Sequence, residues 1–229
     1  MQAVILAGGL GTRLRPLTHL MPKVMMPIGG RPFLAHMVRH LASQQVRDII
    51  LCTGHFSEQI EAYFQDGRSF GVQMHYSVET TPLGTGGAVQ HASSLITANF
   101  LLVNGDTYLP IEIAQLVRAV KESAGCLGAL AVYPQAETNN LCLDAADYVA
   151  AYAKGTPDAM THTDAGVAYY ARGVLPWVQR LQGAWSWEQD VYRRLIERRA
   201  LRAVLAPMPF YDMGTPQRLH QAREQLIVR

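Results

Sequence analysis

Ala3-Val4-Ile5-Leu6-Ala7-Gly8-Gly9-Leu10-Gly11-Thr12-Arg13-Leu14-Arg15-Pro16, with Pro22-Lys23 close behind it, decides how the rest of the chain is read. Val4, Ile5 and Leu6 are β-formers in a short apolar run, and that run breaks at glycine. Gly8, Gly9 and Gly11 let backbone N–H groups turn inward with no Cβ in front of an anion. Arg13, Arg15 and Lys23 add full positive charges. A strand that opens into a cationic, glycine-rich loop suits a polyphosphate, because oriented amides and cations both stabilise negative charge that builds up during reaction.

The letters exclude two other phosphate loops. A dinucleotide fingerprint needs a third glycine at position 14, where the chain has Leu14, and no Gly-x-x-x-x-Gly-Lys-Ser/Thr run occurs anywhere. The stretch instead resembles the signature of the sugar-1-phosphate nucleotidyltransferases, roughly Leu-Ala-Gly-Gly-x-Gly-Thr-Arg-Leu-x-Pro followed by Pro-Lys-Pro. Here the last element reads Pro22-Lys23-Val24. The resemblance implies that Leu6, Ala7, Gly8, Gly9, Gly11, Thr12 and Arg13 bind the nucleotide. It places Arg13 on the leaving pyrophosphate and Lys23 near the α-phosphate.

Composition agrees with a compact globular protein. Of 229 residues, 49% are apolar and 17% charged, and the net charge of +2 is too small to point to nucleic acid. No apolar run is long enough to span a bilayer, and the N-terminal stretch lacks a signal-peptide pattern. Cys52, Cys126 and Cys142 form no Cys-x-x-Cys pair and read as buried thiols of a reducing cytoplasm. Arginines at 193, 194, 198, 199 and 202 read as a solvated helix face. His36 and His40, four apart, lack a third ligand for a metal.

Strands are expected near residues 3–7, 48–53, 73–78, 100–104, 126–133 and 165–171. Helices are expected near 32–44, 57–64, 85–95, 175–181, 188–198 and 216–226, with a polar loop at 155–162. Strand–helix alternation predicts a mainly parallel sheet covered on both faces, with ligands beyond the carboxyl ends of its strands. The family adds a sharper expectation: an α/β, Rossmann-like three-layer αβα fold with a mixed, mainly parallel central sheet. A single domain spans 1–229, with 1–130 mainly nucleotide-binding and 131–229 mainly sugar-phosphate-binding.

Asp106 closes the apolar run Phe100-Leu101-Leu102-Val103-Asn104-Gly105, and Asp212 lies in Phe210-Tyr211-Asp212-Met213-Gly214-Thr215-Pro216. Carboxylates at two strand ends can share one hard divalent cation and leave positions for phosphate and water. The family pattern assigns both to Mg²⁺. The stretch Tyr76 to Ala88 includes Glu79, Gly84 and Thr85, which the family places at the nucleotide. An ionised carboxylate at Glu79 only accepts hydrogen bonds. Guanine offers adjacent N1–H and N2–H donors and uracil one N–H between acceptors, so GTP is favoured. Backbone groups near Gly84 are the alternative base readers.

For the sugar phosphate, Lys154 aligns with the lysine of a family Glu-Lys-Pro element. Asp164-Ala165-Gly166-Val167 resembles Asn-Ala-Gly-Val, and Glu188 with Asp190 echoes Glu-x-Asp. Asn104 joins this set. Ala153, Asp164 and Asn139 stand where the pattern has glutamate, asparagine and glycine. The implied reaction joins an NTP to a sugar 1-phosphate, giving NDP-sugar and pyrophosphate. The D-glycero-D-manno-heptose 1-phosphate guanylyltransferases look most similar among members. Transfer of UMP to N-acetylmuramic acid 1-phosphate, and a non-catalytic nucleotide- or sugar-phosphate-binding regulator, stay open, as does a homo-oligomer.

Overall fold

The computed structural model describes residues 1–134, 139–153, 160–179 and 181–227, the last without its side chain. The chain runs β1 (Gln2–Leu6), α1 (Phe33–Ser43), β2 (Asp48–Thr53), α2 (Ser57–Phe64), β3 (Gln73–Val78), α3 (Gly84–His91) and β4 (Phe100–Asn104). It continues through α4 (Ile113–Lys121), β5 (Gly128–Pro134), β6 (Leu141–Leu143), β7 (Val149–Tyr152) and β8 (His162–Tyr170). Helix α5 (Arg193–Glu197), β9 (Leu201–Leu205) and α6 (Pro216–Ile227) complete it. Two-residue strands Thr107–Tyr108 and Tyr211–Asp212 pair with each other.

The nine strands form one sheet with the order β3-β2-β1-β4-β8-β5-β9, extended from β8 by β6 and then β7. Along that order only β8 runs against the others, so the sheet is mixed and mainly parallel, as expected. Successive residues alternate between two cores because side chains in a strand point to opposite faces. Ala3, Ile5, Leu101 and Val103 pack with α1, α2, α4 and α6 on one face. Val4, Phe100, Leu102 and Tyr170 pack with α3, α5 and Trp187 on the other. These are the three layers.

The element map departs from expectation at several points. The described residues of 175–181 form no α-helix; a 3₁₀ stretch covers Arg172–Trp177, where Pro176 removes a backbone donor. Residues 188–198 begin with a π-helical turn, Glu188–Tyr192, before α5. Helix α4 and strands β6, β7 and β9 were not expected. The arginine run is split accordingly: Arg202 lies on β9, Arg194 donates to the Trp177 carbonyl, and Arg198 and Arg199 cover the Trp177 and Tyr148 rings. Among the described residues, no helix is long and apolar enough to cross a membrane.

Candidate active site

The order β2-β1-β4 places a change of chain direction at β1, because α1 leads from β1 to β2 on one side and α3 leads back to β4 on the other. Open α/β sheets bind ligands at the carboxyl ends of strands at such a point. Leu6, the last residue of β1, sits in register with Cys52 of β2 and Asn104 of β4. All three line a cavity of about 430 Å³.

Backbone constraints bring the charged groups to that cavity. The Gly105 N–H donates to the Leu6 carbonyl at 2.9 Å, and a Cβ on Gly105 would lie 2.4 Å from that oxygen. Only glycine allows this approach, and it delivers Asp106 to the phosphate loop. Gly11 has φ of 60°, and its carbonyl accepts from the Thr18 hydroxyl, closing the loop on itself. Short 3₁₀ turns at Thr12–Leu14 and Lys23–Met25 then carry Arg13 and Lys23 to the cavity wall.

Lys23, buried, forms an ion pair and hydrogen bond with Asp106 Oδ2. Thr107 donates to Oδ1. The Met213 N–H donates to the Asp106 carbonyl across the ribbon of 107–108 with 211–212, which brings Asp212 beside Asp106 in the fold. Asp212 accepts from the Gly214 N–H at 2.6 Å and from Arg218 at 2.9 Å. The Arg13 guanidinium makes no hydrogen bond or ion pair with any described residue, and it lies across from Gly214 at the cavity wall.

Glu79 forms another wall. Its backbone N–H donates to Thr53, its Oε2 accepts from the Leu83 N–H at 3.2 Å, and a Cβ on Gly8 would stand 2.7 Å from its Oε1. Burial raises its pKa above the usual carboxylate value, while the Leu83 N–H and His91 pull the other way. Burial and Glu79 push the Cys52 thiol up to about 12, so it lines the site as a neutral, inert group.

The cavity gathers Leu6, Ala7, Gly8, Gly9, Gly11, Thr12, Arg13, Lys23, Glu79, Gly84, Thr85, Asn104, Asp106 and Glu188 from the expected set. Asp212 is not on the cavity wall, although Gly214, whose N–H it accepts from, is; Lys154 lies outside the described residues. Asp164 is not on the wall. Its Oδ1 accepts from the Gly166 N–H and its Oδ2 from the Tyr192 hydroxyl, an inward arrangement set by the bulge between Asp164 and Ala168. Gly166 sits behind the wall, its missing Cβ leaving room for Asn104. Cys52, Pro82 and Ala88 line the cavity without having been expected. Pro82 and Ala88 flank the Gly84–Gly87 run and could have been read with it; Cys52 follows only from strand register.

Burial pushes the Asp164 carboxyl up to about 6, opposed by the Gly166 and Tyr192 hydrogen bonds and reinforced by Glu188. The folded state thus holds this proton more tightly than the unfolded chain, whose aspartate titrates near 3.8. The associated stability is present below about pH 4 and lost as the pH rises toward 6. Asp164→Asn keeps an acceptor for Gly166 and replaces Oδ2, which accepts from the Tyr192 hydroxyl, by an NH₂ group to which that hydroxyl's oxygen can serve as acceptor. It is expected to raise the melting temperature at pH 8 by about 3–6 °C and to flatten the decline between pH 4 and 6, as read by thermal unfolding across pH.

A mixed αβα sheet carrying a glycine-rich cationic loop at its switch point defines a nucleotide-phosphate enzyme scaffold. The sequence model of the nucleotidyl transferase family matches residues 2–142, and the chain belongs to that family, as its loop motif implied. It is 31% identical over 228 residues to the D-glycero-alpha-D-manno-heptose 1-phosphate guanylyltransferase of Aneurinibacillus thermoaerophilus, covering 99% of this chain and 98% of that one. The Campylobacter jejuni guanylyltransferase of the same description is 30% identical, over 95% and 96% of the two chains. The crystal structure of HddC from Yersinia pseudotuberculosis complexed with GMP-PN superposes with a TM-score of 0.81 at 25% identity, covering 98% of this chain and 99% of that one.

Proposed function

We propose that the protein transfers GMP from GTP to a heptose 1-phosphate, giving GDP-heptose and pyrophosphate. The observation that carries this reading is that one cavity brings together Arg13, which has no partner among the described residues, the Lys23–Asp106 pair, the glycine loop and Glu79. The likeness to two heptose 1-phosphate guanylyltransferases over nearly the whole chain supports the choice of sugar and base.

A phosphate oxygen of the sugar 1-phosphate attacks the α-phosphorus of GTP; that P–O bond forms as the bond to the bridging oxygen of pyrophosphate breaks. The nucleophile is already anionic, so no general base is needed, and the protein aligns the groups and offsets their charge. Arg13 receives the departing pyrophosphate. Lys23 moves from Asp106 toward the α-phosphate. Glu188 and Asn104, both on the cavity wall, are assigned to the sugar phosphate, and the family pattern assigns Lys154 there too; residues 131–229 would serve mainly the sugar and 1–130, Asn104 apart, mainly the nucleotide.

Asp106 and Asp212 would hold one divalent cation, Mg²⁺ in this reading, which supplies charge neutralisation of the triphosphate. The donor set fits. Both groups are hard anionic oxygens, and no cluster of three or more metal-ligating side chains occurs among the described residues. Mg²⁺ commonly takes one or two carboxylates and completes its shell with phosphate and water.

The test is pyrophosphate release from each common NTP with a panel of sugar 1-phosphates: heptose, mannose, glucose and N-acetylmuramic acid. Turnover confined to GTP with heptose 1-phosphate is expected, as is its loss on chelation and recovery with Mg²⁺. Turnover with UTP would overturn the base assignment, and silence across the panel would favour a non-catalytic binding protein.

A further inference from the structure

We infer that Thr85 is a positioning residue for Glu188, and that the small residues of α3 serve to seat the 185–188 segment on the nucleotide half of the molecule. The Thr85 hydroxyl donates to Glu188 Oε2 at 2.7 Å and accepts from the Trp187 N–H at 3.0 Å. Ser186 donates to the same carboxylate oxygen at 2.6 Å. Oε2 is thereby fixed by two hydroxyls, and Oε1 makes no hydrogen bond to any described residue. A carboxylate held in this way can only accept, so the group it presents to the cavity suits a hydroxyl-bearing ligand.

The seating is built from both sides. The Gly86 N–H donates to the Trp185 carbonyl and the Trp185 N–H to the Leu83 carbonyl, each at 3.0 Å, and the indole N–H reaches Gln90 Oε1 at 3.1 Å. A Cβ on Gly86 would lie 2.1 Å from the Trp185 ring, and one on Gly84 would lie 2.4 Å from its carbonyl oxygen. Glycine at these two positions is therefore required by Trp185. Trp187 anchors the far end, buried against Phe100 and Tyr170 with ring centroids 6.2 and 5.3 Å away. The Gly86 amide and the Thr85 hydroxyl are thus committed to this segment, and Thr85 acts on the ligand through Glu188.

This inference rests on the proposed reading in one respect, that the ligand facing Glu188 is the sugar 1-phosphate. Thr85→Val removes the hydroxyl while keeping the shape; Thr85→Ser restores it. Three quantities are measured: KM for the sugar 1-phosphate at saturating GTP, GTP affinity by equilibrium binding, and hydrogen exchange of the Trp185 and Trp187 amides without substrates. Thr85→Val is expected to raise that KM about tenfold, to leave GTP affinity within about twofold, and to speed exchange at Trp187 about tenfold or more, with Thr85→Ser close to the parent chain. Gly86→Ala is expected to speed exchange at Trp185 and Trp187 together. A loss of GTP affinity with an unchanged sugar KM would overturn the inference, as would unchanged exchange. If the parent protein turns over no sugar 1-phosphate, the proposed function fails, and exchange together with GTP affinity still decides the role of Thr85.

Discussion

Asp106→Asn is expected to lower turnover about a thousandfold while the protein remains folded, because the substitution removes a formal charge and keeps a hydrogen-bond acceptor. In the unliganded protein Asp106 is neutralised by Lys23, whose ammonium is almost wholly enclosed. In the proposed reading, loading the site would exchange that partner, with Lys23 freed for phosphate and Asp106 for the cation it would hold. Both variants leave the buried Lys23 without its counter-charge, but Asp106→Ala also removes the oxygens that accept from Lys23 and Thr107, so it is expected to give the same loss of turnover with the lower melting temperature of the two. Comparing the two variants by pyrophosphate release and thermal unfolding separates the chemical role from the structural one. Turnover within tenfold of the parent chain in the purified Asp106→Asn protein would remove Asp106 from the metal assignment. Gly105→Ala should follow the same kinetic pattern, because its Cβ would collide with the Leu6 carbonyl and push Asp106 off the loop.

What could be read from the letters was local. The apolar run ending at Gly8 and the one ending at Gly105 each announce a strand, and both strands were found as expected. The register that sets Leu6 against Cys52 and Asn104 is long-range, so Cys52 could not be placed beside the phosphate loop. The bond from Thr85 to Glu188 spans 103 residues, and nothing at either end marks the other. The Asp-Ala-Gly-Val run matched a family pattern by spelling, yet its carboxylate turns inward because the bulge at Gly166 supplies a donor there. Strands of three and four residues, such as β6 and β7, are too short for a period-2 pattern to emerge. Helix α4 is the opposite case: Ile113, Leu116 and Val120 spell one buried face plainly.

Glu79→Gln tests base selection with the second largest expected effect. Glu79 is held from three directions, by its own N–H on Thr53, by the Leu83 N–H on Oε2, and by Gly8, whose lack of a Cβ leaves room for Oε1. A carboxylate fixed in this way offers acceptors only, which complements the adjacent N1–H and N2–H of guanine. Glutamine turns one acceptor into a donor that faces a guanine N–H, so kcat/KM for GTP is expected to fall about a hundredfold. UTP and ATP should change much less, narrowing the preference. Ionisation gives an independent check. Burial raises the Glu79 pKa, so guanine-dependent activity should decline on acidification at a pH above the usual glutamate range, and Glu79→Gln should lack that decline. Equal losses for every NTP would mean that Glu79 supports the wall without reading the base. The base contacts would then belong to the backbone near Gly84, where the Leu83 and Gly86 groups already committed to Trp185 leave few partners to spare.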